Sequence, residues 1–413
     1  ILFPINRSIT GDGVRQTLSI IKEKLPNLIL YEVPSGTQCF DWTIPKEWNI
    51  RDAYIIGPSG KKVVDFNENN LHVVGYSKNI NRVMSLKVLN DHLYSIPANP
   101  LAIPYVTSYY KESWGFCVSH SQREAMVDGE YQVYIDSTLS DGSLTYAELV
   151  IPGESKEEIF FSTYVCHPSM ANNELSGPTL TTFLAEYIQQ IKKTRYSYRI
   201  IFIPETIGSI MYLSKNLTQM KENIVSGFNI SCVGDNNSYS YLPSRKGNSL
   251  SDKVALHVLE YSPIEFKKYS FLDRGSDERQ YCSPGVDLPI CSVMRTKYME
   301  YEEYHTSLDN LDYISEDGLS GAYNVYTEII NLLENNYTYK SNIFCEPQLG
   351  KRALYPTIST KETKELMADK MNFLTYCDGS LDLIDIANIL KKPAWSLYGI
   401  VNIFLEHNII SRV

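Results

Sequence analysis

Apolar residues recur at helical spacing in GDGVRQTLSIIKEKL, residues 11–25, where Val14, Leu18, Ile21 and Leu25 share a face. This predicts an entry helix, with Asp12 able to cap its start. Asn27–Val33 alternates like a strand, and Pro34-Ser35-Gly36-Thr37 turns the chain. From Phe40 the pattern becomes short alternating runs broken by Pro-Ser-Gly and Asn-Glu-Asn-Asn, which predicts a small all-β insert over residues 40–104. Its Asp41-Trp42 and Trp48 are either a ligand platform or the closure of a small β core. Residues 80–95 read as a short helix and linker, and Pro97, Pro100 and Pro104 mark the return to the main body.

Further on, Tyr131–Ser137 and Leu144–Ile151 both alternate around the polar Thr138–Ser143, which predicts a hairpin. Ile159–Val165 is continuously apolar, as in a strand buried on both faces. Helix Pro178–Lys192, strand Tyr198–Ile203, a helix from about Gly208 and strand Val225–Val233 follow. Helix Asp252–Glu260, a strand near Ile290–Met294 and helix Gly318–Asn335 complete the series. Such alternation predicts an α/β fold, a mostly parallel mixed sheet with helices on both faces, built from residues 1–39 and 105–340. Asn336–Pro356 reads as a linker. Helices Thr363–Tyr376, Leu381–Leu390 and Ala394–His407, separated by turns at Cys377-Asp378-Gly379-Ser380 and Lys391-Lys392-Pro393, predict a winged helix-turn-helix domain at 351–413. Asn408–Val413 is able to start its wing.

Composition narrows the function more than the fold. At 413 residues the chain exceeds the size at which one core keeps growing. Its formal charge of −10 argues against broad binding to nucleic acid or anionic membrane. No apolar run is long enough for a membrane span, and the opening ILFPINRSITGDG has neither the basic nor the apolar part of a secretory leader. Eight cysteines without a C-x-x-C pair read as reduced, mostly buried thiols, so the cytoplasm is the expected compartment. The 31 tyrosines suit carbohydrate or peptide contact, or reflect codon bias.

Candidate chemistry gathers at strand ends. His167 lies where the apolar strand opens into CHPSMANNELSG, a turn of small residues before a helix, with Asn173 and Glu174 inside it. Glu205 in Pro-Glu-Thr-Ile-Gly-Ser repeats that logic; at an apolar strand end it is either a desolvated general base or a helix-cap carboxylate. Asp235 follows the next strand, and His305 lies in Glu-Glu-Tyr-His-Thr-Ser-Leu-Asp-Asn. Imidazoles and carboxylates delivered by separate strands suit a catalytic zinc. Asp277 and Arg279 either fix a substrate's amine or carboxylate or pair with each other. Cys166 and His167 as neighbours on a strand would face opposite sides, which counts against a Cys-His nucleophile. No G-x-S-x-G, P-loop or G-x-G-x-x-G occurs.

With these pieces assembled, the sequence resembles the co-catalytic zinc aminopeptidases, the family of bacterial leucine aminopeptidase. The resemblance rests on the His167 turn, ANNELSG, PETIGS, the Asn229–Asp235 strand end, SDERQY, and Tyr304-His305-Thr306 followed by Asp309. Over nearly its whole length it is similar to bacterial aminopeptidase-like proteins associated with polysaccharide biosynthesis, through FPINRSITGDGVRQTL, DWTIPKEWNIRDAYI and YHTSLDN. The resemblance implies metal-activated water attacking an amide carbonyl, with one or two zinc ions. His167, Glu174, Asp235 and His305 are then the implied metal ligands, Glu205 the base, and Asp277, Arg279 and Tyr304 the substrate contacts. The family's bridging aspartate falls on Asn173, with Glu174 beside it; its other carboxylate ligands fall on Thr206 and Ser231, and Ser169 replaces a further aspartate.

The expected function is therefore a zinc-dependent aminopeptidase or amidohydrolase acting on a peptide or an amide-bearing saccharide precursor. The alternative is a non-catalytic scaffold that binds a peptide or sugar and recruits a partner through the winged helix. That domain holds eight basic and seven acidic residues from Lys351 to Val413, and AWSLYGIVNIFLEH contains no Lys or Arg. Protein contact or self-association is thus expected of it rather than DNA binding.

Overall fold

The computed structural model of the protein describes residues 1–355 and 361–413. Pro356, where the expected linker ends, and residues 357–360 of the expected winged-helix domain lie outside the described residues. The chain divides into two compact units, Ile1–Asp252 with Glu265–Asn324, and Lys253–Ile264 with Val325–Val413.

The first unit is built on an eight-stranded mixed sheet. Its strand order is Ile29–Pro34, Ser143–Ile151, Ser197–Ile203, Glu158–Tyr164, Ile224–Asn229, Ile290–Met294, Tyr239–Leu242 and Phe266–Lys268. The four central strands are parallel, with Ile159 opposite both Tyr198 and Ser226, and antiparallel pairings flank them. All seven residues of Glu158–Tyr164 are buried, as its unbroken apolar run requires. From this strand the chain goes first to Ser197–Ile203 on one side, then to Ile224–Asn229 on the other. Such a reversal opens a crevice at the carboxyl ends of the strands.

The entry helix spans Asp12–Lys24 and buries Val14, Thr17, Leu18 and Ile21. Asp12 does not cap it. Gly11 holds the cap position at φ 100°, and Asn49 Oδ1 accepts the Asp12 N–H at 2.7 Å. A Cβ on Gly11 would sit 2.3 Å from the Trp48 carbonyl oxygen, so only glycine allows this approach.

The insert carries a four-stranded antiparallel sheet ordered Lys62–Asp65, Glu47–Ile56, Glu130–Ser140, Ile80–Ser85. The expected hairpin is not formed: Glu130–Ser140 pairs with the insert strands, while Ser143–Ile151 joins the large sheet. Alternation fixes which face a strand buries, not which neighbour it takes. Of the two tryptophans, one takes the core role. Trp48 is core, 3% exposed with Nε1 donating to the Ser77 carbonyl at 2.8 Å, whereas Trp42 is 41% exposed.

In the second unit Thr338–Ser341 is the central strand of a three-stranded sheet, between Asp378–Asp382 and Ile410–Arg412. The stretch read as linker thus contains a strand, and the expected turn at 377–380 runs into another. Polar TYKS carries too weak an apolar signal to be read as a strand; backbone pairing on both edges forms it. Helices Lys361–Thr375, Leu383–Leu390 and Tyr398–Glu406 follow, with Phe373, Ile386 and Phe404 buried. Among the described residues no helix is long and apolar enough to cross a membrane.

Candidate active site

The buried strand ends at Tyr164, and Val165-Cys166-His167 leads into a wide π-helical turn, Ala171–Leu175, at the start of helix Ser176–Gln190. Asp309 fixes the turn by accepting the N–H groups of Ala171, Asn172 and Asn173 at 3.1, 2.6 and 2.9 Å. Those are donors that a helix start otherwise leaves open. Gly177 lets the helix approach its neighbours, since a Cβ there would lie 2.5 Å from the Ile230 carbonyl oxygen.

This turn aims Glu174 back at His167. Oε2 lies 2.9 Å from His167 Nδ1, and Oε1 accepts the Cys166 N–H at 2.9 Å. Arg7 completes a buried ionic triad: its Nε is 3.3 Å from Glu174 Oε1 and donates to the His167 carbonyl at 2.9 Å. Arg7 is the residue that sequence reasoning passed over. Its one signal was a lone cation within the otherwise uncharged ILFPINRSIT.

With Nδ1 committed, His167 presents Nε2, which lies 3.6 Å from Glu205 Oε2. Burial alone would lower the imidazole's pKa, but the hydrogen bond and charge of Glu174, with the charge of Glu205, outweigh it and raise it. Burial raises the Glu205 carboxyl, against the opposing pull of His167. Ser276 Oγ donates to Glu205 Oε1 at 2.8 Å.

The next residue, Thr206, is held at φ 64°, a strained conformation for a β-branched residue. Asp277 Oδ1 accepts its N–H at 2.7 Å, and Arg279 Nη2 donates to its Oγ1 at 2.6 Å. Burial and the neighbouring Glu205 push the Asp277 carboxyl up to about 7.

His305 reaches the same place, its ring 5.5 Å from that of His167. Tyr304 stacks on it at 3.9 Å, and Tyr105 lies 5.1 Å from both imidazoles. Burial and then His167 push the His305 pKa down to about 3, so this imidazole is neutral.

Thus His167, Glu174, Glu205, His305 and Tyr304 converge, with Asp277 and Arg279 bracing the backbone beside the base. Asp235 is engaged differently: Oδ2 accepts from Asn172 Nδ2 at 3.1 Å and the Thr296 N–H at 2.9 Å, and Oδ1 accepts from Thr296 Oγ1 at 2.7 Å. Among the described residues one group of three candidate ligand atoms lies within 4.8 Å of one another: Cys166, His167 and Glu174. Arg7 and His167 already engage Glu174 there, and burial raises the Cys166 thiol well above its usual range.

The Cys166–His167 geometry differs from expectation. The strand has already ended, and Cys166 Sγ lies 3.4 Å from His167 Nδ1 rather than on the opposite face. The thiol's raised pKa, not its placement, excludes it as a nucleophile.

Above His167 and Glu205 is a cavity of about 250 Å³ whose wall includes Trp42, Tyr109, Tyr110 and Thr206. A larger cavity of about 840 Å³, bordered by Asn6, Gln16, Trp48 and Arg51, contains neither histidine nor Glu205.

Residues 1–336 match the family model described as a domain of unknown function, DUF4910, and residues 337–412 match a winged helix-turn-helix model. The chain belongs to the DUF4910 family. A relative from Clostridium acetobutylicum is 49% identical over 388 residues, 94% of this chain and 88% of its own length. It is provisionally named a polysaccharide biosynthesis protein with an aminopeptidase-like domain. A crystal structure from the same organism, provisionally named a peptidase, has a TM-score of 0.94 at 45% identity, covering 100% of this chain and 94% of its own.

More distant structures carry the fold. A zinc aminopeptidase from Bacillus subtilis has a TM-score of 0.56 at 11% identity over 79% of this chain and 91% of its own. A peptidase M28 precursor from Shewanella amazonensis has a TM-score of 0.57 at 12% identity over 84% of this chain and 92% of its own. DUF4910 in this chain is therefore an aminopeptidase-like α/β fold followed by a winged helix.

Proposed function

We propose that the protein hydrolyses an amide bond, in a peptide or an amide-bearing saccharide precursor, using one divalent metal ion and a glutamate base. The observation that carries this reading is the facing pair His167 Nε2 and Glu205 Oε2, 3.6 Å apart, with His305 alongside.

The donor set fits one ion. A carboxylate pins His167 through Nδ1 and leaves Nε2 outward, as for metal-bound imidazoles generally, and His305 is neutral with its lone pair available. A carboxylate-bridged pair does not fit. The bridging position is Asn173, the other carboxylate positions are Thr206 and Ser231, and Asn173 Nδ2 and Ser231 Oγ are buried without protein partners.

Zinc, when bound, would supply a Lewis acid, with His167 and His305 as its ligands. Glu205 takes a proton from the attacking water at Oε2 and delivers it to the leaving nitrogen, while Ser276 steadies Oε1. Glu174 orients His167, Asp235 braces the loop that carries Thr296, and Asp277 with Arg279 holds Thr206 so that the base keeps its place.

Glu205→Gln is expected to lower turnover of aminoacyl-arylamides or acylated amino sugars by about 10²–10⁴-fold. Metal analysis should find about one zinc per chain, lost in His167→Ala. If the purified protein takes up no zinc and His167→Ala changes nothing, the hydrolase reading is lost. The neutral residues Asn173, Thr206 and Ser231 would then favour a binding scaffold of the same fold.

The eight cysteines are free thiols, seven of them buried, which suits a reducing compartment such as the cytoplasm. Helix Tyr398–Glu406 carries no Lys or Arg, so the winged helix is proposed to contact protein or a second copy rather than DNA.

A further inference from the structure

The cavity above His167 and Glu205 is walled by a segment that the catalytic sheet does not supply. Trp42 belongs to the two-residue strand Trp42–Thr43, paired with Gln38–Cys39, and Tyr110 lies in the segment leading back from the insert. Their rings meet edge to face at 5.9 Å, and Tyr110 Oη donates to the Thr43 carbonyl at 3.1 Å, so the pair is braced. Both are nonetheless open to solvent, Trp42 at 41% and Tyr110 at 56%. Trp42 is thus an indole exposed at the mouth of a cavity, whereas the other insert tryptophan, Trp48, is buried.

The polar groups beside it set the charge of what can enter. A free α-amine would need a carboxylate to receive it. Asp277 is wholly buried, and Glu278 is buried with Oε1 accepting from Gly275, Ser276 and Tyr298 and Oε2 from Asn229. Glu205 is the carboxylate left facing the cavity, and it is committed to the reaction. Arg279, exposed and in no ion pair among the described residues, adds a positive charge at Thr206 on the cavity wall. Its charge offsets Glu205 and Asp277, so the wall holds no excess negative charge to draw in an ammonium, and the guanidinium offers donors to hydroxyl or acyl oxygens.

At about 250 Å³ the cavity is below the ~300–1,000 Å³ typical of small-molecule sites and takes one ring rather than an extended peptide. We infer that the pocket receives a single N-acylated sugar ring, its C–H face on Trp42, in preference to a peptide with a free amino terminus. The assignment rests on the amide-hydrolase reading of the same site. Trp42, from the insert, and Tyr110, from the segment that leads back from it, are specificity residues, and Arg279 disfavours amines.

The test uses the full chain and three probes, N-acetylglucosamine, glucosamine and leucinamide, with binding followed by saturation-transfer NMR and titration calorimetry. N-acetylglucosamine is expected to bind about tenfold more tightly than either amine, and Trp42→Ala to weaken it by about tenfold. Tyr110→Ala, a second exposed change, should weaken it in the same direction, and Arg279→Gln should narrow the gap between N-acetylglucosamine and glucosamine. Leucinamide or glucosamine binding as tightly as the acylated sugar overturns the assignment, as does unchanged binding in Trp42→Ala. Leucinamide turnover that is lost in Glu205→Gln but indifferent to Trp42→Ala removes the sugar and leaves the hydrolase standing. Sugar binding that needs Trp42 in a chain that cleaves no amide at any zinc loading removes the hydrolase and supports the pocket.

Discussion

Two histidines show how differently the two units use the same side chain. His167 in the first unit sits among charges: Glu174 on Nδ1, Glu205 beyond Nε2, and Arg7 behind Glu174. His257 in the second unit has neutral hydrogen-bond partners, with Nδ1 2.7 Å from Asn388 Oδ1 and Nε2 accepting the Ala394 N–H at 2.9 Å, although Glu260 and Asp382 lie near enough to act on it. Carboxylates raise the first pKa; burial lowers the second. One imidazole is held between carboxylates, which favour its protonated form, and the other is a hydrogen-bond bridge that works only when neutral.

The sharpest way to break this contrast is at Arg7. Its side chain and that of Glu174 are wholly buried, so removing one partner strands a charge without solvent. Arg7→Met should cost about 3–5 kcal/mol, read from urea unfolding of the first unit. The double change Arg7→Met with Glu174→Gln should recover part of that loss, because the stranded carboxylate is gone. A single change costing under about 1 kcal/mol would mean that the triad is not the charged network described.

At His257 the prediction concerns pH as well as size. Its folded-state pKa lies below the ordinary 6.5, so the unfolded chain binds the extra proton first. Stability of the second unit is therefore complete above about 6.5 and declines as pH falls below it toward the folded-state value. Amide protection factors in helix Leu383–Leu390, exchange rates corrected for their intrinsic pH dependence, should fall as pH drops from 7.5 to 5.5. His257→Ala should remove that dependence and cost about 1–3 kcal/mol, because the buried Ala394 N–H loses its acceptor. An unchanged pH profile in the variant would assign the titration elsewhere.

The same distinction explains what could be read from residue order. Apolar periodicity located the parallel core, because a strand buried on both faces, such as Glu158–Tyr164, must be apolar throughout. His167 and Glu205 stood out because turns of small residues at strand ends leave a local signature, and His305 because it follows Glu302, Glu303 and Tyr304. Three things had almost none. Glu130–Ser140 chose its partners in space, and TYKS became a central strand only through its neighbours. Arg7 pairs with a residue 167 positions away in sequence, since 174 − 7 = 167, so nothing near it in the chain shows that it is a buried cation. For the same reason the sequence offered Glu174 as a ligand without showing Arg7 behind it, which with His167 engages its carboxylate.

The smallest effect is expected at Asp382, where the second unit does use charge, at a helix start near the surface. Its side chain accepts the Asp385 N–H at 3.0 Å to cap helix Leu383–Leu390, and also receives Lys253 Nζ at 2.8 Å and Asn336 Nδ2 at 2.9 Å. Burial would raise this carboxyl, but the Lys253 contact and the cap hold it below the ordinary 3.8. A depressed folded-state pKa contributes stability above the unfolded value and loses it as pH falls through the folded one. Asp382 therefore stays silent across the window in which His257 titrates and acts only below about 3.8. Asp382→Ala should cost about 1 kcal/mol at neutral pH through the lost cap, with the decline between pH 7.5 and 5.5 intact. Combined with His257→Ala, it should leave a second unit that is weaker yet flat in pH across that range. If instead the decline persists in the double variant, neutral bridging by His257 is not what separates the two units.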